Sequence, residues 1–334
     1  MRFYTKPHKH YCGIDLHART MYVCIVDGQG NVLLQRNIPT SPDELRALIA
    51  PFREDLVICA ECVFCWYWLA DFCATENIPF VLGHALYMRA IHGAKAKNDR
   101  IDSFKIASLL RGGNMPFSYV YPSAMRATRD LLRRRLYLVR ERGCLLAHVQ
   151  NTHHQCNLPS PGVSLHRRSN RGKVAETFAN ECVRKSIEVD VQVVDHLDTV
   201  ITDLEKHLLA MTKVHDAANF LLLQSIPGVG EILAMTILYE VHDITRFETV
   251  QDFASYARLI RCARESAGKR SGTSGSKIGN PSQVGTLRGD HHDAPACRHR
   301  SSGALVAPPF QANRAESNPT RGQGRIHPEA HESI

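Results

Sequence analysis

The sequence has no apolar run that approaches the length of a membrane-spanning helix. Its first ten residues are charged, and no signal-peptide core follows them. We therefore expect no association with membranes and a cytoplasmic location. Hydrophobic residues nevertheless make up 44% of the 334 residues, which is enough to build folded cores.

The sequence also lacks a regular disulfide pattern, because its eleven cysteines are odd in number and unevenly spread. Reduced thiols are the expected state. Cys59, Cys62 and Cys65 form a C-x-x-C-x-x-C run, but no fourth ligand follows nearby, so buried thiols are favoured over an iron–sulfur site. The aromatic run of residues 66–68 is likewise interpreted as helix packing and not as a platform for nucleobases.

The first sixty residues show the pattern of a mixed sheet. Segments 11–15, 21–27 and 32–38 predict three antiparallel strands, the last two joined by the turn at 28–31. Residues 41–44 predict a capping box with proline at the first helical position. The apolar run 56–60 then predicts a buried parallel strand.

Four carboxylates fall at special positions in this pattern. Asp15 ends the first strand, Glu61 ends the buried strand, and Asp99 and Asp102 share one face of a predicted helix. A ribonuclease-H-type fold would gather them around two metal ions. Carboxylate oxygens without cysteine or histidine suit Mg²⁺ or Mn²⁺, which catalyse phosphodiester displacement in pairs.

These residues carry a resemblance to the DEDD transposases of the insertion sequence 110 family. The similarity rests on GIDLH (13–17), AEC (60–62) and KNDRID (97–102), and continues through segments 223–230, 245–247, 264–270 and 277–280. The resemblance implies a RuvC-like amino-terminal domain, two divalent ions held by the four carboxylates, and DNA as substrate. It also implies a structured guide RNA from the same element.

The resemblance assigns a nucleophilic role to Ser266, which matches the serine of the family's Ser-x-Gly motif. Its hydroxyl would attack a phosphodiester once a base or metal activates it. Lys269 and Arg270 would offset the phosphate charge.

Long helices rich in arginine are predicted in the middle of the chain. Arg133, Arg134 and Arg135 are candidates to contact nucleic acid, although a solvated helix face is an equal alternative. The net charge of +8 agrees with a polyanionic partner.

The helices at 126–148 and 174–215 resemble the family's coiled-coil insertion, which predicts a homo-oligomer. The alternative of a hairpin within one chain stays open.

A tight turn precedes the apolar helix predicted at 232–241. Gly228 and Gly230 would expose backbone amides to a phosphate there, as in a helix-hairpin-helix, and an ordinary turn between helices is the alternative.

After Asn280 the family pattern stops. Only 15 of the 54 residues from 281 to 334 are hydrophobic, which is too few to bury a core. We expect this tail to be disordered, and we hypothesise that a frameshift replaced the natural end.

We predict an α/β protein with a RuvC-like mixed-sheet domain at 1–118 and a helical coiled-coil segment at 119–215. A mostly helical domain that contains Ser266 would span residues 216–280. This domain would be truncated where the tail at 281–334 begins. The predicted function is DNA transposition through a serine–DNA intermediate. The alternatives are a RuvC-like nuclease that uses water and a relic that only binds nucleic acid.

Overall fold

The computed structural model describes residues 2–91, 98–257, 263–266 and 269–273. Within them lies a seven-stranded mixed sheet in the order β1-β7-β6-β5-β2-β3-β4. Its strands are β1 (Phe3–Tyr4), β2 (His10–Leu16), β3 (Thr20–Asp27), β4 (Val32–Pro39), β5 (Leu56–Glu61), β6 (Phe80–Gly83) and β7 (Met115–Ser118). The sheet confirms the predicted mixed α/β class and is consistent with a RuvC-like domain.

The central strands β2, β5 and β6 are parallel, whereas β3, β4 and β7 run antiparallel to their neighbours. Every residue of β5 before Glu61 is buried, because helices cover both faces of the sheet at this strand. The predicted strands at 11–15, 21–27, 32–38 and 56–60 are all confirmed.

The described residues of this part of the chain form four α-helices: α1 (Pro42–Ile49), α2 (Trp66–Thr75), α3 (Ala85–Ile91) and α4 (Asp99–Arg111). Side chains from α1 and α2 share one core with Ile14 and Ile58, and side chains from α4 share a second core with Val57 and Cys59. Because neighbouring residues of β5 point to opposite cores, the sheet separates two apolar layers.

The predicted capping box at α1 is wrong. Pro42 does begin the helix, but the side chain of Ser41 makes no capping hydrogen bond. The backbone hydrogen bond from Leu45 N to Ser41 O (3.1 Å) and the fixed φ of proline hold this helix start instead.

Two long helices follow the sheet, α5 (Ser123–Gln155) and α6 (Glu181–Gln224). They pack side by side around a shared apolar core, and three side-chain contacts join them: Arg135–Glu205, Arg142–Asp198 and His148–Asp190. Since the α5 numbers rise as the α6 numbers fall, the helices are antiparallel. They form a hairpin within one chain, while an oligomer built on it stays a prediction.

The connection between these helices is anchored by one buried arginine. Arg171 donates hydrogen bonds to the backbone oxygens of Leu165 and His166 and to the carboxylates of Asp195 and Asp198. The segment that joins α5 to α6 is therefore fixed against α6.

The carboxyl-terminal helices α7 (Glu231–Val241) and α8 (Val250–Tyr256) follow α6, and strands β8 (Ala263–Ser266) and β9 (Lys269–Thr273) form a hairpin. α7 packs against α5 and α6 through a core that includes Leu132, Leu208 and Tyr239. The helix predicted at 232–241 is confirmed. The tail predicted at 281–334 lies outside the described residues.

None of the helices in the described part of the chain is both long enough and apolar enough to cross a bilayer.

Candidate functional site

Two of the predicted carboxylates, Asp15 and Glu61, lie where β2 and β5 end, and the other two lie in α4, which packs on β2. Strands β2 and β5 are parallel neighbours, and Ile14 pairs with Ala60, so Asp15 and Glu61 occupy equivalent positions one residue further on. Asp15 is largely buried, and Glu61 is partly exposed.

Asp99 and Asp102 lie in the first turn of α4, which begins at the N-cap Asn98. The side chain of Asn98 accepts a hydrogen bond from Arg100 N (2.9 Å). The amino-terminal end of a helix dipole stabilises carboxylates at these positions.

Gly13 allows α4 to pack directly on β2. A Cβ atom at this position would lie 2.3 Å from both Ala107 N and Ser103 O, which are backbone atoms. The missing side chain therefore lets the start of α4 approach Asp15.

His17 is a member of the site that sequence reasoning missed. Its Nε2 atom lies 3.5 Å from Asp15 Oδ2 and 3.8 Å from Asp99 Oδ2. The possible ligand atoms of Asp15, His17 and Asp99 all lie within 4.8 Å of one another. His17 lies one residue beyond the end of β2, so the two-residue period of the strand does not reach it.

The charges of the other three acids reach Asp15. The pKa of Asp15 is raised by burial and further by the charges of Asp99, Asp102 and Glu61, while His17 lowers it. Asp102 also pairs with Lys105, whose Nζ lies 3.0 Å from its Oδ1. Clustered carboxylate oxygens with one imidazole are a donor set that fits a divalent cation, and the nearest three donors are those of Asp15, His17 and Asp99.

The three candidate arginines of α5 differ in their surroundings. Arg133 binds the carboxylate of Glu240 in α7, and Arg135 binds that of Glu205 in α6. Arg134 is exposed, and its guanidinium lies 5.0 Å from the ring centroid of Tyr137. Of the three, Arg134 is the one that presents its charge to solvent.

The turn before α7 is exposed and depends on glycine. Gly228 has a φ of +86°, a left-handed conformation that glycine adopts without strain. Gly230 is the N-cap of α7, and no side chain among the described residues caps this helix start. The role of this turn in binding phosphate stays a prediction.

The backbone places Ser266 at the end of β8, paired with Lys269 of β9, and Glu265 is paired with Arg270. Residues 267 and 268, which complete the Ser-x-Gly motif, lie outside the described residues. The predicted roles of Ser266, Lys269 and Arg270 stay predictions.

The cysteines agree with the expectation of thiols, with one departure. Among the residues that the structure describes, eight cysteines are free, whereas Cys144 is disulfide-bonded. In the C-x-x-C-x-x-C run, Cys59 is buried, Cys62 is exposed and Cys65 donates to Leu16 O (3.8 Å). No group of cysteine ligands forms a metal site among the described residues.

The aromatic run after this cysteine cluster packs as predicted. Trp66 is buried, and the guanidinium of Arg126 lies over its ring at 4.7 Å and over that of Tyr67 at 5.1 Å. These rings join α2 to α5.

Two regions of the chain match models of transposase families. Residues 12–156 match a family model described as "Transposase" (DEDD_Tnp_IS110), and residues 221–283 match one described as "Transposase IS116/IS110/IS902 family". The chain belongs to the IS110 family of transposases. The first match contains all four carboxylates, and the second contains Gly228, Gly230 and Ser266.

The transposase also resembles a curated relative. It is 23% identical over 276 residues to the transposase for insertion sequence element IS1111A of Coxiella burnetii (strain RSA 493 / Nine Mile phase I). The alignment covers 80% of this chain and 73% of the relative. Membership of the family implies DNA as a partner and the use of divalent metal.

Proposed function

We propose that this transposase cuts and rejoins DNA through a covalent serine–DNA intermediate at a metal centre formed by Asp15, Glu61, Asp99 and Asp102. The observation that carries the proposal is the convergence of these acids where two parallel strands end, inside the segment that matches the family. An acidic cluster would repel a DNA strand without cations, so the site favours metal-dependent chemistry over simple DNA binding.

The four carboxylates would hold two Mg²⁺ or Mn²⁺ ions, with His17 beside Asp15 and Asp99. Such ions, when bound, neutralise the charge of a phosphodiester and activate the attacking oxygen. Asp15 has a pKa raised by burial and by its acidic neighbours, so it accepts a cation more readily once it has lost its proton. Lys105 holds Asp102 in place beside the cluster.

Ser266 would supply the nucleophile. Its hydroxyl oxygen forms a bond to phosphorus, and the bond between phosphorus and the 3′ oxygen breaks. Serine loses its hydroxyl proton, and the leaving 3′ oxygen gains a proton. The products are a phosphoserine link to the 5′ side and a free 3′ hydroxyl. Lys269 and Arg270 would balance the phosphate charge, and reversal of the step on another strand would complete the transfer.

The guide RNA, the homo-oligomer and the cytoplasmic location belong to the same proposal and are supported by the family alone. Gly228, Gly230 and Arg134 would contact phosphates away from the metal centre.

A covalent-adduct assay tests the proposal. The full chain is incubated with end-labelled DNA that carries the ends of its element, the matching RNA and Mg²⁺ or Mn²⁺, and is then separated on a denaturing gel. Labelled DNA should migrate with the protein, and Ser266→Ala and Asp15→Asn should each abolish this adduct. Ser255→Ala, at an exposed serine in α8, should leave it unchanged.

Two results would contradict the proposal. Cleavage without an adduct, unaffected by Ser266→Ala, indicates a nuclease that uses water. Salt-sensitive binding with no strand breakage in either metal indicates a relic.

A further inference from the structure

An exposed aromatic ring adjoins the carboxylate site. Phe64 follows Glu61 by three residues and is 85% exposed, more than any other large hydrophobic side chain in the described part of the chain. Its aromatic neighbours at 66 and 67 are used in packing, as described above. Phe64 therefore contributes little to the core, and folding does not explain its position.

A second exposed aromatic ring follows β6, the strand beside β5. β6 runs parallel to β5, Glu61 pairs with Gly83, and Cys62 N donates to Gly83 O (2.9 Å). The residues that follow β6 thus begin beside those that follow β5. There Tyr87, 39% exposed, stacks on His84 with ring centroids 4.3 Å apart and an angle of 29° between the planes.

The rings of Tyr87 and His84 are already held together by their own stacking. Burial lowers the pKa of His84 and so favours its neutral ring, which stacks without a charge to solvate. Leu86, which precedes Tyr87 in the sequence, is also exposed. Apolar patches that adjoin a polar site commonly mark a place where a ligand binds.

We propose that Phe64 and the Tyr87–His84 pair bind unpaired bases of the DNA strand whose backbone reaches the carboxylates. This proposal rests on the proposed function for the position of that backbone. The chemistry of the site identifies the group that the rings bind. When cations hold the phosphates of a DNA strand at the acids, its bases are the groups left to contact apolar rings. In a duplex, neighbouring bases cover the base faces, so a ring can stack only where the strand is unpaired.

The test measures stacking without cleavage. The full-length Ser266→Ala chain, which keeps the DNA intact, is titrated in Mg²⁺ with single-stranded oligonucleotides that carry 2-aminopurine at successive positions. Stacking on an aromatic ring quenches this fluorophore. We expect quenching at one or two adjacent positions and none when the same oligonucleotide is in a duplex.

Substitutions then assign the quenching to the rings. Phe64→Ala should abolish it at one position and weaken binding on the order of tenfold, which is typical of one lost stacked base. Phe64→Trp should restore both, and Tyr87→Leu should remove quenching at the other position. Val250→Ala removes an apolar side chain that is 78% exposed in α8 and should change neither quantity.

The proposal is overturned if Phe64→Ala binds and quenches like the parent, or if quenching is seen with RNA and not with DNA of the same sequence. Because Phe64 is exposed, its substitution should leave the melting temperature unchanged. The adduct assay reports separately on the proposed function, so loss of the adduct with intact quenching contradicts that function and not the stacking.

Discussion

At the scale of single residues, Gly13 links the fold to the site. It lies in the central strand β2, paired with Cys24 on one side and Cys59 on the other. The backbone of α4 occupies the space that a side chain would need, and α4 carries two of the four acids. A change at this position should therefore affect both stability and metal binding.

We predict that Gly13→Ala lowers the free energy of unfolding by at least about 1–3 kcal/mol, the usual cost of overpacking a core. The blocking atoms belong to the backbone, so α4 must shift away and carry Asp99 from Asp15. Urea denaturation should report the loss, and the rise in melting temperature with Mn²⁺ should shrink.

Gly28→Ala is the matched control for this substitution, because no atom lies within 4 Å of the added Cβ. It should leave the unfolding midpoint and the response to Mn²⁺ close to those of the parent. Equal unfolding midpoints and equal responses to Mn²⁺ for Gly13→Ala and Gly28→Ala would show that the packing of α4 does not depend on Gly13.

Sequence patterns predicted some site residues and missed others for physical reasons. Asp15 and Glu61 end recognisable strand segments, so their positions could be predicted from those segments. His17 lies just beyond the end of β2, and its approach to Asp99 depends on how α4 packs. The exposure of Phe64 could not be predicted either, because Trp66, an aromatic residue two positions later, is buried.

At the scale of elements, a buried ion pair joins α5 to α7. Glu240 accepts hydrogen bonds from Arg129 and Arg133, and both Glu240 and Arg129 are nearly inaccessible to solvent. Arg129 also lies over the ring of Tyr121, 3.8 Å from its centroid. This cluster connects the helix after the sheet to the carboxyl-terminal helices.

We predict that Glu240→Ala lowers the free energy of unfolding by about 3–5 kcal/mol, because it leaves the Arg129 charge buried without its carboxylate. Glu240→Gln keeps the shape and should cost less. Chemical denaturation of the full chain measures both values.

Glu205→Ala serves as the control, since it removes the partner of Arg135 at a more exposed position. There the expected loss is about 1 kcal/mol or less. Similar losses at positions 205 and 240 would mean that burial of the pair does not determine its contribution.

The helices themselves were predictable, but their partners were not. Apolar residues at three- and four-residue steps predicted α5 and α6, and the same stripe suits packing within one chain or between chains. The structure shows the packing within the chain. Likewise, no spacing rule connects Arg133 to Glu240, because this contact depends on the packing of α7 against α5.

At the scale of the whole molecule, much of the positive charge on α5 is neutralised internally. The chain has 41 basic and 33 acidic residues. The arginines of α5 that bind carboxylates elsewhere in the fold are Arg126, Arg129, Arg133, Arg135 and Arg142. The net charge therefore says less about nucleic-acid binding than the surroundings of each arginine.

We predict that Arg134→Gln reduces the slope of log K against log salt concentration for DNA binding by about 0.7–0.9, the value for one lost phosphate contact. Arg135→Gln should leave the slope unchanged, because that charge is already paired with Glu205 and releases no counterion on binding. Fluorescence anisotropy from low to moderate salt measures both slopes. Equal slopes for the two variants would exclude Arg134 as the phosphate contact among these arginines and would direct the search to the turn at Gly228 and Gly230, where backbone amides replace side-chain charge.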